Sequence, residues 1–393
     1  MMLITALTLS VKMVSGNPKS FDTVTIDYYG KSYKIQLDKD IIRTSIRKIT
    51  AEELRYVDSL HEYLKPSIKE IDQIKENLSL PDWLVYQLIR RIAEQIYSKY
   101  DDYTYYTVLK WALLSESGYD PIVFRSNDKI LLYVQSPDII YNLPIKTIGY
   151  KQYVCLNYHD YGHQIQFENE QFSQQFIFFK KEEREFHYTM KTLPSFQPES
   201  YIEKNVSFIF ETEKQEYNVL VNPEIQDYFT NYPVTEYRYQ FNIPFSDITY
   251  KSLIPKLKTK LKNFSIEKGV EYLMVFVRDG FQFETDTKLF GREKRLSAEE
   301  TLAYNSSDCE DRSALFFLLV KELYNVPMAI VSYPEHINVA VLLPKKNGRQ
   351  ILVDNLSLTM CEPTPQKKKR GVGWVPREIK KQPYEIAYFY NQK

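Results

Sequence analysis

The chain of 393 residues is long enough for two or three domains, each with a hydrophobic core of its own. It carries 51 Lys+Arg and 51 Asp+Glu, and a formal net charge of zero argues against a long non-specific nucleic-acid-binding track. Only 11 glycines and 19 prolines exclude a collagen-like or low-complexity chain.

The amino terminus has the character of an export signal. Residues 1–16, MMLITALTLSVKMVSG, are mostly apolar and end in small residues, although no basic region precedes them and Lys12 interrupts the run. We therefore favour an exported protein slightly over a cytoplasmic one. No other segment approaches the roughly 18 apolar residues that span a bilayer, so we expect no membrane-spanning segment.

The first region, residues 17–120, combines a hairpin with helices. Residues 21–38 alternate apolar and polar side chains about a Gly-Lys turn, which predicts a β-hairpin. Helical periodicity follows over residues 51–117, with the Pro81-Asp82 pair as a start signal and Gly118 as a stop signal.

Residues 121–242 form a second, β-rich region. Short strand-like runs recur there with turn residues between them, which predicts an antiparallel sheet or sandwich. The runs are ILLYVQS, KQYVCLNY, QFIFFKKE, VSFIFETE, EYNVLV and YRYQFNI.

The remaining residues, 243–393, are predicted to form one α+β unit, with helices first and a sheet after them. Helical patterns cover residues 248–264 and 265–280. Strand-like runs follow at MAIVSY, HINVAVLLP and RQILVDNLSL.

The segment NSSDCEDRSALFFLLV, residues 305–320, places one cysteine among charged residues at the start of an apolar helix. Either Ser307 with Glu310 or Asp308 with Asp311 can form a capping box, so Cys309 lies in the first turn. We expect the positive end of the helix dipole to stabilise a Cys309 thiolate there. The alternative is that Cys309 is an ordinary small buried residue.

A histidine and an aspartate follow on the predicted strands, as a Cys-His-Asp relay requires. His336 begins HINVAVLLP, and Asp354 lies among apolar residues in RQILVDNLSL, where an unpaired carboxylate is costly. A two-residue Asn347-Gly348 turn would separate the two side chains. We expect a wider loop, Pro344 to Gly348, which makes Asp354 the diagonal neighbour of His336.

This order of Cys, His and Asp resembles the transglutaminase-like branch of the papain-like superfamily. The residues that carry the likeness are FVRDGFQFETDTKLFGREKRLSAEETLAYNSSDCEDRS and YPEHINVAV. In these segments the chain is similar to large bacterial proteins with a transglutaminase-like C-terminal region. The likeness implies a papain-like α+β fold and attack of the Cys309 thiol on an amide or peptide carbonyl. The Cys309 backbone amide would be one oxyanion donor.

Two positions depart from the family pattern. Phe283 stands where a tyrosine donor is expected, which leaves the neighbouring Gln282 as the candidate second oxyanion donor. Asn355 replaces the proline that often follows the aspartate.

The predicted function is therefore cysteine-dependent acyl transfer or hydrolysis on a protein or peptide substrate, by a peptidase, amidase or transglutaminase. The rival is a catalytically inactive scaffold or binding protein that acts through its β-rich region. We expect no cofactor. Cys155, His159 and His163 could bind zinc if they lay on a helix, but a hydrated hairpin tip explains them better, so we expect no metal there.

Overall fold

The computed structural model of the protein describes residues 22–51, 58–165, 167, 170–175, 184–346, 348–365 and 371–391. The predicted export segment, residues 1–16, lies outside these ranges. The described part is a mixed α+β structure with antiparallel sheets. None of its helices is both long enough and apolar enough to cross a membrane.

The N-terminal hairpin and the helices within residues 51–117 form as predicted, and a further helix that was not predicted, Lys39–Ala51, precedes them. The hairpin and the helices are β1 (Asp22–Tyr28), β2 (Lys31–Leu37), α1 (Lys39–Ala51), α2 (Asp58–Leu78), α3 (Asp82–Glu94) and α4 (Tyr103–Glu116). Helix α3 begins directly after Pro81, whose fixed φ suits a helix start. Helix α4 ends before Gly118, which has a φ of +86° that is accessible mainly to glycine.

The β-rich region contains the predicted antiparallel sheet. Its strands are β3 (Pro121–Ser126), β4 (Lys129–Gln135), β5 (Ile145–Ile148), β6 (Lys151–Cys155) and β7 (Ser173–Gln175), in the order β5-β6-β4-β3-β7. One face of β4, with Leu132 and Val134, joins the core formed by the N-terminal helices. The other face, with Leu131 and Tyr133, covers a smaller cluster. The predicted run QFIFFKKE lies almost entirely outside the described residues.

A long hairpin packs on the C-terminal core instead of on this sheet. Strands β8 (Ile202–Phe210) and β9 (Glu213–Val221) alternate exposed and buried residues, as a sheet with one face in solvent does. Their buried face, which includes Phe208 and Tyr217, lies against α7 (Asp247–Leu261) and α8 (Ile266–Gly280). The packing therefore groups the hairpin with the C-terminal unit.

The prediction of a strand at YRYQFNI is wrong. After α5 (Ile225–Phe229), this segment forms a one-turn helix, α6 (Tyr237–Gln240). Helical geometry brings residues four apart together, and the rings of Tyr237 and Phe241 meet edge to face with centroids 5.5 Å apart. A strand would hold these two rings too far apart for this contact.

The C-terminal unit places helices on one side of a five-stranded antiparallel sheet. After α8 come β10 (Gln282–Phe283), α9 (Asp286–Phe290), α10 (Ala298–Ala303), β11 (Ser306–Ser307) and α11 (Cys309–Tyr324). The sheet contains β12 (Met328–Tyr333), β13 (His336–Val341), β14 (Gln350–Val353), β15 (Leu356–Cys361) and β16 (Glu385–Tyr390), in the order β14-β15-β13-β12-β16. Helix α11 is buried against α8, α10 and β13.

The strand pairing differs from the expected register. The run RQILVDNLSL was predicted as one strand beside β13, but it is broken in the middle into β14 and β15. Asp354 and Asn355, with φ of +47° and +63°, form the two-residue turn between them. It is β15 that pairs with β13, with Val339 opposite Cys361, and β14 lies at the edge of the sheet.

Lys110 is buried inside the N-terminal core. Its side chain is fully buried, and Nζ has no hydrogen-bond partner among the described residues. The ammonium lies 4.3 Å from the ring centroid of Tyr106 and within 6 Å of the Tyr103 and Tyr86 rings. Burial lowers the pKa of Lys110 to about 7. Three aromatic faces therefore replace the water that normally solvates a lysine.

We predict that Lys110→Met stabilises the fold in a pH-dependent way. An unfolded lysine has a pKa of about 10.4, so between about pH 7 and pH 10 the unfolded chain binds one more proton than the folded one. The destabilisation caused by burying the charged amine is fully present below about pH 7 and disappears as the pH rises towards 10. Urea unfolding should show a gain of roughly 3 kcal/mol for Lys110→Met near pH 6 that declines towards pH 10.

Lys65→Met is the matched control, since Lys65 is about half exposed in α2. Its effect on the free energy of unfolding should be small and independent of pH. An effect of Lys110→Met that does not change with pH would contradict the low pKa of the buried amine.

Candidate active site around Cys309

The first turn of α11 is held by two aspartates. Asp308 is the N-cap, and its Oδ1 accepts from the backbone N–H groups of Glu310 at 3.0 Å and Asp311 at 3.3 Å. Asp311 Oδ2 in turn accepts from the Asp308 N–H at 3.3 Å. Of the two predicted capping boxes, the structure forms the Asp308–Asp311 one. Cys309 is the first helical residue, and no described acceptor takes its N–H.

Arg312 fixes this turn to the end of α8. Its fully buried guanidinium donates to the carbonyls of Ser307 at 3.3 Å, Arg278 at 2.8 Å and Phe281 at 2.9 Å. Burial lowers the pKa of Arg312 to about 10, so the group stays charged at neutral pH. These bonds satisfy carbonyls at the end of α8 and hold the start of α11 beside them.

The candidate oxyanion residue Gln282 lies next to the segment that enters α11. Strands β10 and β11 pair in parallel, with Gln282 opposite Ser306 and Phe283 opposite Ser307. The Arg312 guanidinium lies 5.5 Å from the Phe283 ring centroid, so this ring stacks on a cation and offers no donor. The pairing brings the Gln282 backbone near Cys309, and its role as a donor stays a prediction.

His336 is paired with a carboxylate that the sequence analysis missed. His336 Nε2 lies 2.9 Å from Glu362 Oε2, and the Glu362 residue is only 1% exposed. Continuing the β13–β15 register by one residue puts Glu362 opposite Asn338, and so diagonal to His336. With its amide nitrogen facing the carboxylate, Asn338 donates to Glu362 Oε2 at 2.8 Å.

The pairing controls the protonation of the ring. Burial acts to lower the pKa of His336, but the hydrogen bond to Glu362 and the charge of that carboxylate outweigh it, and the pKa is raised. Because Nε2 faces Glu362, Nδ1 is the ring nitrogen that this carboxylate does not contact.

The structure does not bring the predicted third residue, Asp354, to His336. Asp354 is exposed in the turn between β14 and β15, whereas His336 meets the far end of β15 at Glu362. The Asp-Asn dipeptide was itself a signal, since both residues tolerate the left-handed conformation of a tight turn. Such a turn exposes Asp354 and leaves Glu362 as the buried acid beside His336.

The surroundings of the Cys309 thiol favour its protonated form. Sγ donates to Glu310 Oε2 at 2.8 Å. Burial and the negative charges of Glu310 and Asp308 raise the pKa of Cys309 well above its ordinary value. The expectation that the helix dipole makes a thiolate at rest is therefore wrong, because the charges of the nearby carboxylates oppose the dipole.

Glu310 connects Cys309 with His336 electrostatically. Its charge raises the pKa of the Cys309 thiol and contributes to the raised pKa of His336, so it lies within reach of both groups. A second pair lines this region: Arg295 donates to the Tyr237 hydroxyl at 3.0 Å. Burial raises the pKa of Tyr237 to about 12, with contributions from Glu310 and Cys309. Tyr237 and Cys309 both pack against the C-terminal core as partly buried side chains.

Three buried carboxyl groups lie close together beside the first turn of α11. Burial, backed by the charges of neighbouring carboxylates, raises the pKa of Asp286 to about 7 and that of Asp308 to about 8. The pKa of Asp311 is raised by burial and by the charges of the other two. The sequence analysis did not single out Asp286, which begins α9.

The possible zinc residues in the β-rich region have other contacts. Cys155 is buried at the end of β6, with Sγ 3.6 Å from Asn157 Oδ1. His159 Nε2 lies 3.2 Å from Asp160 Oδ1. The side chain of His163 lies outside the described part. Among the described side chains, neither Cys155 nor His159 belongs to a group of three potential metal ligands.

Comparison with known proteins adds no family assignment. The chain matches no protein-family model, and neither the curated proteins nor the solved structures give a significant match. The likeness to transglutaminase-like proteins stays a prediction from the residues that carry it.

We predict that Glu362→Gln lowers the pKa of His336. The amide keeps a hydrogen bond but removes the negative charge that favours the protonated ring. Titration of the His336 ring signals by NMR measures the change. The control is Asp354→Asn, which should leave the pKa unchanged. A larger fall in Asp354→Asn than in Glu362→Gln would restore the original assignment.

Proposed function

We propose that this protein is a cysteine-dependent acyl transferase or hydrolase that acts on amide or peptide carbonyls. Cys309 would be the nucleophile, His336 the base and then the acid, and Glu362 the residue that orients the ring. The observation that carries the proposal is the His336–Glu362 pair, 2.9 Å apart and with its carboxylate buried, at the start of a strand against which the Cys309 helix packs. The papain-like likeness of the sequence supports the same order of elements.

The proposed reaction begins when His336 Nδ1 takes the thiol proton as Sγ attacks the carbonyl carbon. The C=O electron pair moves to oxygen, and the Cys309 N–H would donate to this oxyanion, with Gln282 as the candidate second donor. The intermediate then collapses with cleavage of the C–N bond. The imidazolium gives its proton to the leaving amine, which leaves a thioester on Cys309.

The thioester can pass its acyl group to water or to an amine. Attack by water gives a peptidase or amidase, and attack by a substrate amine gives a transglutaminase. His336 would take the proton of the attacking group in either case. The chemistry of the three side chains is common to both outcomes, so the proposal names the acyl-enzyme and leaves its acceptor open.

Glu310 gives the free protein a resting thiol. Because Sγ donates to this carboxylate, the thiol must turn from Glu310 to His336 before it reacts. The pKa of the Cys309 thiol is raised mainly by burial and by the Glu310 charge. A cationic imidazole beside the thiolate would offset both of these effects. Glu310 therefore opposes activation, and the His336–Glu362 pair supplies it.

One observation favours the second candidate function, an inactive scaffold or binding protein. Carboxylates surround Cys309, and a thiol that stays protonated is a poor nucleophile. In that case the part-buried His336–Glu362 pair would serve only to satisfy polar groups at the end of the sheet.

Alkylation of Cys309 separates the two functions. At neutral pH, we predict that His336→Ala lowers the rate of labelling of Cys309 by iodoacetamide at least about tenfold, because the ring no longer accepts the thiol proton. Peptide mass spectrometry gives the rate at each cysteine, and buried Cys155 and Cys361 serve as internal references. Equal rates in wild type and His336→Ala would favour the scaffold.

Replacing Glu310 should have the opposite effect. Glu310→Gln keeps an acceptor for the thiol but removes the nearest negative charge, so the pKa of Cys309 should fall. We expect labelling roughly tenfold faster than in wild type, since one pKa unit changes the thiolate fraction tenfold. Glu322→Gln, an exposed change near the other end of α11, is the control. Slower labelling of Glu310→Gln would mean that Glu310 itself activates the thiol.

A further inference from the structure

A compact group of three carboxylates lies beneath the first turn of α11. Asp308 and Asp311 belong to this turn, and Asp286 is the first residue of α9. One oxygen from each lies within 4.8 Å of one from each of the others. Asp286 is 4% exposed, Asp308 is 9% exposed and Asp311 is 0% exposed, so water screens their charges poorly.

No positive side chain among the described residues forms an ion pair with this group. Lys288 pairs with Glu284, and Lys294, whose backbone N–H reaches Asp286, directs its ammonium to Glu300 Oε1 at 3.0 Å. The Arg312 guanidinium donates its hydrogen bonds to backbone carbonyls and not to these carboxylates. Three carboxylates this close and this buried repel one another, and the charge of the adjacent Arg312, which acts on Asp308 and Asp311, is too small to neutralise three ionised carboxylates.

One oxygen of the group is also left without a partner. Asp286 Oδ2 accepts from the Lys294 N–H at 2.6 Å, but no described donor contacts the buried Oδ1. The Ser307 hydroxyl, one residue before Asp308, is likewise fully buried and has no hydrogen-bond partner among the residues that the structure describes. A buried carboxylate oxygen without a donor is costly unless a ligand binds it.

We propose that Asp286, Asp308 and Asp311 bind a divalent cation of the hard, oxygen-preferring class, such as Mg²⁺, Ca²⁺ or Mn²⁺. Three carboxylates and no histidine or thiol are the ligand set that these ions select over zinc. Each aspartate would give at least one oxygen, with Asp286 Oδ1 the one still open, and water would complete the coordination. The cation would link α9 to the start of α11.

This site does not depend on the proposed acyl transfer. It needs only the three aspartates, and its test reads binding instead of activity. A second group of possible ligands, Asp308 with Cys309 and Glu310, shares one aspartate with it. The two groups differ in the thiol, so a variant without the thiol distinguishes them.

Binding of Mn²⁺ to the full chain, stripped of metals with EDTA, is the direct test. At mildly alkaline pH, electron paramagnetic resonance should show one Mn²⁺ bound per chain, displaced by millimolar Ca²⁺ or Mg²⁺. The thermal unfolding midpoint should rise with the logarithm of the cation concentration. Absence of both effects would overturn the proposal and leave a cluster whose members share protons.

Variants locate the ion. Asp286→Asn should abolish binding and the rise in midpoint, whereas Glu284→Gln, a nearby acid outside the cluster, and Cys309→Ala should keep both. Loss of binding in Cys309→Ala but not in Asp286→Asn would place the ion at the thiol and refute this site. If Asp286→Asn does not fold, wild type still decides: bound Mn²⁺ should broaden the NMR signals of the Lys294 and Leu296 amides, which donate to the cluster.

Discussion

The start of α11 is the constraint on which the C-terminal unit depends. A helix that is buried nearly all round must satisfy its first amide groups without water, and Asp308 and Asp311 do so by exchanging hydrogen bonds with each other's backbone. Arg312 then ties this turn to the last carbonyls of α8. Cys309 is held at a fixed point by these bonds, and no acceptor in the described part of the chain takes its N–H. The position of the thiol is therefore set by charged residues whose first role is structural.

These charged residues also oppose ionisation of the thiol. The helix dipole favours a thiolate by at most about 2 kcal/mol, and buried carboxylates only a few ångströms away can outweigh it. In our account, activation comes from the opposite side, where Glu362 keeps the pKa of His336 raised. The carboxylates near Cys309 thus have two consequences. They keep the thiol protonated at rest, and one of them, Asp308, supplies an oxygen to the proposed cation site.

Local patterns predicted the parts of the structure that local interactions determine. The helix at Cys309, its possible caps and its end at Asn325 followed from side-chain periodicity and start and stop signals. Strand pairing did not, because it depends on contacts distant in sequence: the chain doubles back at Asp354-Asn355, and β15 replaces the expected neighbour of β13. The predicted register, with Asp354 diagonal to His336, is wrong, and Glu362 holds the diagonal position. Asp286 was missed for the same reason, since only the fold brings it to α11.

The central claim is that Cys309 forms an acyl-enzyme with the help of His336 and Glu362, and the most direct measurement is the intact mass of the protein after reaction with an activated peptide ester. The account predicts one added acyl group, located on Cys309 by peptide mapping. It predicts loss of that group in Cys309→Ala and much slower formation in His336→Ala and Glu362→Gln, with Asp354→Asn like wild type. Acylation at another residue, or at an equal rate without the His336 ring, would contradict it.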